Sequence, residues 1–297
     1  MVGTCALCKK QAELKLSHII PKFVFRYLKK DSFTGRLRRI SDPNVPQQDG
    51  DKLEMLCGEC EGRFSLNETH FANKMYSPFK KDGFHGLPYE GNWLHYFITS
   101  VNWRTLVLDI EAFENDDDEK GKITDKQLAN LKRHEEIMRS YLLGQRKDIF
   151  SIENHIFFFD TIKSAGSNVA QLNPYSILHG SGFGYTVIND SGATYVFANL
   201  TGIIIVSIIK KHSLERWKNT YVKLDSGKIK VPQMVDNSPI FSELFFLAEQ
   251  REEFIRGLSD KQREQLLAKI ENDPEGFKAS GTYKRKMEDQ RLKEVEE

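Results

Sequence analysis

Apolar positions change period along the chain. Residues 92–113, NWLHYFITSVNWRTLVLDIEAF, carry apolar side chains at helical spacing and predict a core helix. ENDDDEKGK at 114–122 reads as a solvated loop. A second helix is expected over 124–143, capped by Thr124 with Gln127 at capping-box spacing. After GQRKD the pattern becomes that of strands: SIENHIFFFDTI (151–162), YTVIND, TYVFANL, GIIIVSII and NTYVKLDSGKIKV, with hairpin turns expected at Gly192 and Gly227. LTGIIIVSII at 200–209 is the longest apolar run; too short for a bilayer and ended by Lys210 and Lys211, it reads as a buried strand. From Pro239 helices return, over about 239–257, 259–271 and 281–295.

The N-terminal part reads differently. A short strand or turn is expected at 15–20, and a helix after Pro21, which suits a first helical turn. SDPNVPQQDGDK at 41–52 is rich in turn formers and reads as a loop. A further helix starts near Cys60 and runs through CEGRFSLNETHFANKMY, despite Gly62. The expected organisation is α+β. A module over residues 1–82 is nucleated more by a metal than by a large core. A helical and mostly antiparallel-sheet domain follows over 83–297.

Composition narrows the choice. The chain has 297 residues, 39% hydrophobic and 29% charged, with a formal net charge of only +1, so evidence for a nucleic-acid partner must be local. The opening MVGTCALCKK lacks the apolar core of a signal peptide, and a cytoplasmic protein with no membrane partner is expected. Residues 83–297 hold no phosphate loop, GxGxxG, GxSxG or kinase motifs, which leaves sensing, partner binding or regulation as their role.

The four cysteines form two CxxC pairs, Cys5 with Cys8 and Cys57 with Cys60, and none follows. Paired knuckles in a chain without a secretory signal point to four thiolates around one structural zinc rather than to disulfides. A redox dithiol is the alternative.

Between the knuckles lies KLSHIIPKFVF, and the second knuckle reads LCGEC. The order CxxC, SHIIP, LCxxC and then a helix resembles the HNH endonuclease superfamily, in its branch with a ββα-metal, treble-clef-like fold braced by a four-cysteine zinc. The resemblance covers residues 5–70. It implies a metal-dependent endonuclease that hydrolyses phosphodiesters of DNA or RNA, with a role in bacterial restriction or anti-phage defence. His18 would be the general base, and Mg²⁺ or Mn²⁺ the catalytic ion. The sequence departs from the family pattern where Ser17 replaces the usual Asp, Lys52 the usual Asn, Glu61 the usual His or Asn, and Ser65 a second His.

A different oxygen-ligand set is available. Glu61, Ser65 and Glu68 recur at i, i+4 and i+7 of the expected helix, and Glu61 and Glu68 become the candidate ligands of the catalytic metal. Asp49 and Asp51 can add oxygens from the preceding loop, whereas His70 points elsewhere. As ordinary helix residues, both glutamates would simply be solvated. Without its context, a histidine beside Ile19 and Ile20 is a satisfied structural residue. The histidines at 85, 95, 134, 155, 179 and 212 have no such context and read as structural or surface residues.

Local charge then favours a polyanion. Ten Lys or Arg residues lie between Lys9 and Arg39, opposed only by Glu13 and Asp31, with Phe23, Phe25, Tyr27 and Phe33 interleaved. Lys22, Arg26, Lys29, Lys30, Arg36, Arg38 and Arg39 are the candidate nucleic-acid contacts, DNA first. Two further readings stand beside the nuclease. One is a non-catalytic zinc module that binds nucleic acid or a protein partner. The other is an interaction subunit whose function resides in the C-terminal domain.

Overall fold

The computed structural model describes residues 1–38, 42–160 and 167–294. Arg39, residue 41 of the expected loop, residues 161–162 of the first expected strand and residue 295 of the last expected helix lie outside them. The chain opens with a hairpin of β1 (Val2–Thr4) and β2 (Gln11–His18), then α1 (Lys22–Asp31). β3 (Leu37–Arg38) pairs with β4 (Pro46–Gln47), and β5 (Lys52–Cys57) returns antiparallel to β2. α2 (Gly58–Phe71) continues through a π-helical turn (Ala72–Tyr76) into α3 (Ser77–Asp82). Next come β6 (Leu87–Tyr89), α4 (Trp93–Asn115), α5 (Asp125–Leu142), β7 (Glu153–Phe158), α6 (Ser167–Gln171) and α7 (Pro174–Leu178). β8 (Gly182–Ile188), β9 (Thr194–Leu200) and β10 (Ile203–Lys210) form a meander, followed by the short strands β11 (Arg216–Lys218), β12 (Gly227–Ile229) and β13 (Met234–Asp236). Four helices close the chain: α8 (Pro239–Arg256), α9 (Asp260–Asn272), α10 (Pro274–Ala279) and α11 (Gly281–Glu294).

The fold is mixed α+β with antiparallel sheets. Its central sheet has the order β7-β10-β9-β8. Both inner strands are buried on both faces, which is why β10 reads as a continuous apolar run. The pleat divides their side chains. Ile203, Ile205, Val196 and Ala198 face the α4 side, while Ile204, Val206, Ile208, Tyr195 and Phe197 pack with α7, α8 and α11.

Helix α4 is buried almost all round over residues 94–106, the mark of a helix at the centre of a domain. It packs against α2, α5 and the sheet. Its buried hydroxyls are satisfied within the helix, Thr99 Oγ1 donating to His95 O at 2.8 Å and Ser100 Oγ to Phe97 O at 2.8 Å. The Nδ2 of its buried Asn102 is paired across the layer. Asn102 Nδ2 donates to Ser207 Oγ at 2.9 Å, Ser207 Oγ to Asn154 Oδ1 at 2.7 Å, and Asn154 Nδ2 to Thr99 Oγ1 at 2.8 Å. This chain fixes the rotation of α4 on β7 and β10, because any other rotation strands these groups without partners.

Buried clusters run across residue 83. Cys5, Leu7, Leu56, Cys57, Cys60 and Phe64 share one core with Trp103, Leu106, Leu131 and Met138. The N-terminal segment therefore relies on α4 and α5 for its apolar cover. The Thr124–Gln127 capping box is present. The hairpin expected at Gly227 is not formed: β12 pairs with β6 and β11 with β13. Gly227 instead lets the backbone approach Tyr89, whose ring and hydroxyl lie 2.6–3.0 Å from where a Cβ would stand. The strand or turn expected at 15–20 is a strand that starts at Gln11 and ends at His18, and α10 was not foreseen.

Replacing Ser207 with Ala leaves Asn102 Nδ2 and Asn154 Oδ1 unpaired. The expected loss is about 2 kcal/mol in urea denaturation, against about 1 kcal/mol for the exposed cap variant Thr124→Ala.

Candidate metal centre and active site

The β1–β2 turn and the β5–α2 junction bring the cysteines together. Cys5 N donates to Lys10 O and Lys9 N to Cys5 O, both at 2.9 Å, closing a tight turn with Lys9 at φ 59°. Ala6 N donates to Met55 O at 2.9 Å and docks the turn on β5. Cys57 ends β5, and Cys60 follows in the first turn of α2. The four Sγ atoms lie within 4.8 Å of one another, with Cys8 and Cys57 at 3.9 Å. All four are free thiols, and only Cys8 is more than marginally exposed.

This donor set suits a tetrahedral soft-ligand metal. A zinc ion about 2.3 Å from each sulfur separates the sulfurs by about 3.8 Å. Burial raises the Cys5 thiol, but the backbone N–H groups of Cys57, Cys8 and Leu7 outweigh it and bring Cys5 to about 7. Burial, with neighbouring sulfurs adding to it, holds Cys8 and Cys60 above the ordinary thiol value. Four such thiols cannot all ionise in one buried cluster without a cation to balance them. The four cysteines thus form a metal-compatible centre that fits structural zinc.

His18 is the last residue of β2 and stands opposite Lys52 in the β2–β5 register. Its Nε2 lies 3.1 Å from Asp49 Oδ2, and Lys52 Nζ lies 3.1 Å from the same oxygen. The loop carrying Asp49 is pinned on both sides. Ile19 N donates to Asp51 O at 3.2 Å, and Gly50 lies so close to the Phe25 ring that a Cβ would overlap it. Burial works against the Asp49 charge. His18, Lys52 and the Gly50 N–H outweigh it and hold the carboxyl down at about 2. Asp49 is therefore anionic at neutral pH and faces the imidazole.

The other predicted residues divide. Ser17 is fully buried, and its Oγ donates to Glu61 Oε2 at 2.6 Å. Ser17 and Glu61 thus touch each other. Glu68 Oε1 accepts from Arg104 Nη2 at 2.6 Å, and Arg104 Nη1 donates to the His18 carbonyl at 2.6 Å. Ser65 is exposed, and the His70 ring packs on Trp93 with centroids 4.5 Å apart.

On α1, Lys22, Arg26, Lys29 and Lys30 follow i, i+4, i+7 and i+8, opposite the buried Val24, Phe25 and Leu28. No ion pair engages them or Arg36 among the described residues. Arg38 is held by Pro43 O at 2.6 Å and Gln262 Oε1 at 2.7 Å. The interleaved aromatics turn inward: Phe23 packs on Tyr76 and Phe71, Tyr27 on Tyr76, and Phe33 on Phe277. They build the core and the C-terminal contact, and α1 meets solvent as a cationic stripe.

Sequence reasoning missed Arg104. Its signal was a lone Arg inside the apolar run VNWRTLVL. It also took Asp49 only as an oxygen donor, not as the partner of His18. Among the remaining histidines, burial lowers His95 to about 4. His179 falls to about 3, again chiefly by burial, with Lys80 adding to it. Both are neutral core residues.

About one zinc per chain is expected by metal analysis, and Cys57→Ser should lose the zinc and lower the melting temperature. Fully folded, metal-free wild type would overturn this. Asp49 gives a second prediction. Because its folded value lies below the ordinary carboxylate value, its stabilisation is complete above about pH 4 and is lost as pH falls toward 2. The difference in melting temperature between wild type and Asp49→Asn should be constant above about pH 4 and shrink below it.

No family model, curated protein or solved structure matches this chain, so its functional reading rests on these residues.

Proposed function

We propose that the protein is a metal-dependent endonuclease of the HNH type, braced by a zinc at Cys5, Cys8, Cys57 and Cys60. The observation that carries this reading is the His18–Asp49 contact of 3.1 Å, at the strand end that leads from one cysteine knuckle toward the other. A carboxylate that stays ionised at neutral pH beside the ring balances the charge that appears when the imidazole takes a proton. His18 would remove a proton from water as its oxygen attacks phosphorus. The P–O bond to the leaving oxygen then breaks, and that oxygen collects a proton from solvent.

Glu61 is the first candidate to hold the Mg²⁺ or Mn²⁺ ion, with Ser17 Oγ beside its carboxylate at 2.6 Å. When bound, such an ion would stabilise the negative charge gathered on the phosphate oxygens. Glu68 gives one oxygen to Arg104 and has the other available. Lys22, Arg26, Lys29, Lys30 and Arg36 would neutralise backbone phosphates of DNA, each displacing condensed counterions. Restriction or anti-phage defence is the setting this activity suits, in the cytoplasm.

A second reading has its own support. The carboxylates of Glu61 and Glu68 both already accept hydrogen bonds from protein groups, Ser17 and Arg104. A degenerate site of this kind fits a zinc module that binds nucleic acid, or a protein partner, without cutting.

Plasmid cleavage with Mg²⁺ or Mn²⁺ separates the two. The nuclease reading expects nicking or linearisation by wild type, a loss of at least about 100-fold in His18→Ala, and a clear loss in Glu61→Gln. Arg26→Ala and Lys30→Ala should weaken DNA binding and each reduce the salt slope by about one unit. Salt-dependent binding with no cleavage under either metal would establish the second reading instead.

A further inference from the structure

We infer that Arg104 is the positioning residue of the His18 site, through which the central helix sets the direction of the imidazole. The inference rests on the nuclease reading for its catalytic consequence and on geometry alone for the positioning.

Arg104 is 1% exposed, in the middle of the long, largely buried helix α4. A guanidinium in such a place is strongly unfavourable unless paired, and an apolar side chain of similar size would pack there without that cost. Its donors have specific targets. Nε reaches Ser100 O at 3.3 Å, one turn back on α4. Nη1 reaches His18 O and Nη2 reaches Glu68 Oε1, both at 2.6 Å. The plane of the group lies over the Phe64 ring, 5.4 Å from its centroid. One rigid, planar fork therefore joins three elements: α4, the end of β2 and the second half of α2.

The contact with His18 is to the backbone, and this determines what it can do. The peptide between His18 and Ile19 is held at both of its polar atoms. Its carbonyl accepts from Arg104, and its N–H donates to Asp51 O at 3.2 Å. Fixing that peptide plane fixes the backbone at His18, and so the direction in which its Cβ leaves the strand. Asp49, two residues before Asp51, then meets the ring at 3.1 Å. Arg104 therefore acts on one side of the residue and the 49–51 loop on the other. Glu68 serves the same arrangement, because its carboxylate orients the fork toward β2 and supplies the opposite charge.

Arg104 does not touch the imidazole, and its carboxylate partner Glu68 is itself a candidate metal ligand; toward His18 its role is positioning and not catalysis. The test must move the ring without merely unfolding the protein. Arg104→Met with Glu68→Leu removes both buried charges together and leaves neither unpaired. Arg104→Lys keeps the charge but cannot span both acceptors as a fork. The full chain would be labelled for the imidazole carbon-bound protons, with zinc content and melting temperature as controls for folding.

The expected result for the double variant is retained zinc, a shifted or broadened His18 ring resonance, and unmoved resonances for His134 and His212. On cleavage, read from Arg104→Lys because the double variant also removes the candidate metal ligand Glu68, kcat should fall about tenfold with KM within about twofold, the mark of misplacement rather than lost binding. A folded, zinc-loaded double variant whose His18 resonance is unchanged would overturn the inference. Should the double variant not fold, Arg104→Lys carries the same resonance test with the same two outcomes. Wild type that cuts no nucleic acid defeats the nuclease reading alone, because the His18 resonance reports positioning whether or not the site is active.

Discussion

Helix α4 must be covered on every side, and the remaining elements are arranged to do so. Over residues 94–106 only Tyr96 shows appreciable exposure. The sheet covers one face, α5 another, and α2 with the cysteine centre a third. Fully burying each large side chain contributes about 2 kcal/mol, so the apolar residues of a helix buried all round contribute strongly to folding. The polar groups it carries inward are equally constraining. Asn102 is tied to the sheet through Ser207, and Arg104 to β2 and α2. Apolar contact places the helix; these polar contacts fix its rotation.

The cysteine centre is the second anchor, and it acts where the strands are short. β1 is three residues long and mostly exposed, and among the described residues the segment between β2 and β5 contains only α1 and a two-residue ladder. Four thiols within 4.8 Å bring the β1–β2 turn and the start of α2 to one point. The seam between β2 and α2, where Ser17 meets Glu61, lies between that point and Arg104. The proposed active site thus sits between a metal-compatible clamp and a buried guanidinium, and both hold backbone as well as side chains.

The C-terminal helices return to the N-terminal basic segment by mainly polar contacts. Arg38 meets Gln262, Asn44 Nδ2 donates to Gly257 O at 2.9 Å, Lys269 Nζ reaches Phe33 O at 3.2 Å, and Arg285 pairs with Asp31. α9 buries no residue, so these bonds and the Phe33–Phe277 packing hold it in place. α1 keeps its cationic stripe facing solvent, while Arg38 is drawn into this junction. The basic stretch, continuous in sequence, is therefore divided in space.

The elements with a strong period were legible from sequence: α4, the capped α5 and the fully apolar β10 are determined by local side-chain spacing. The cysteine centre was legible because a four-thiolate site announces itself by residue type. His18 was picked out by its position between the knuckles, but its partner was not, because the Asp49 contact depends on how a turn-rich loop packs against Phe25. Arg104 stood in the sequence as an exception to an apolar pattern, with nothing nearby to say what it met. Gly227 looked like a turn, yet it is needed for the approach of Tyr89 from 138 residues earlier. The sequence by itself determined the periodic elements, the α+β class and the thiol cluster, since each follows from local spacing and chemistry. Only the tertiary structure decided which carboxylates meet His18, Ser17 and Arg104, because those pairings are set by long-range packing around α4 and leave no period along the chain.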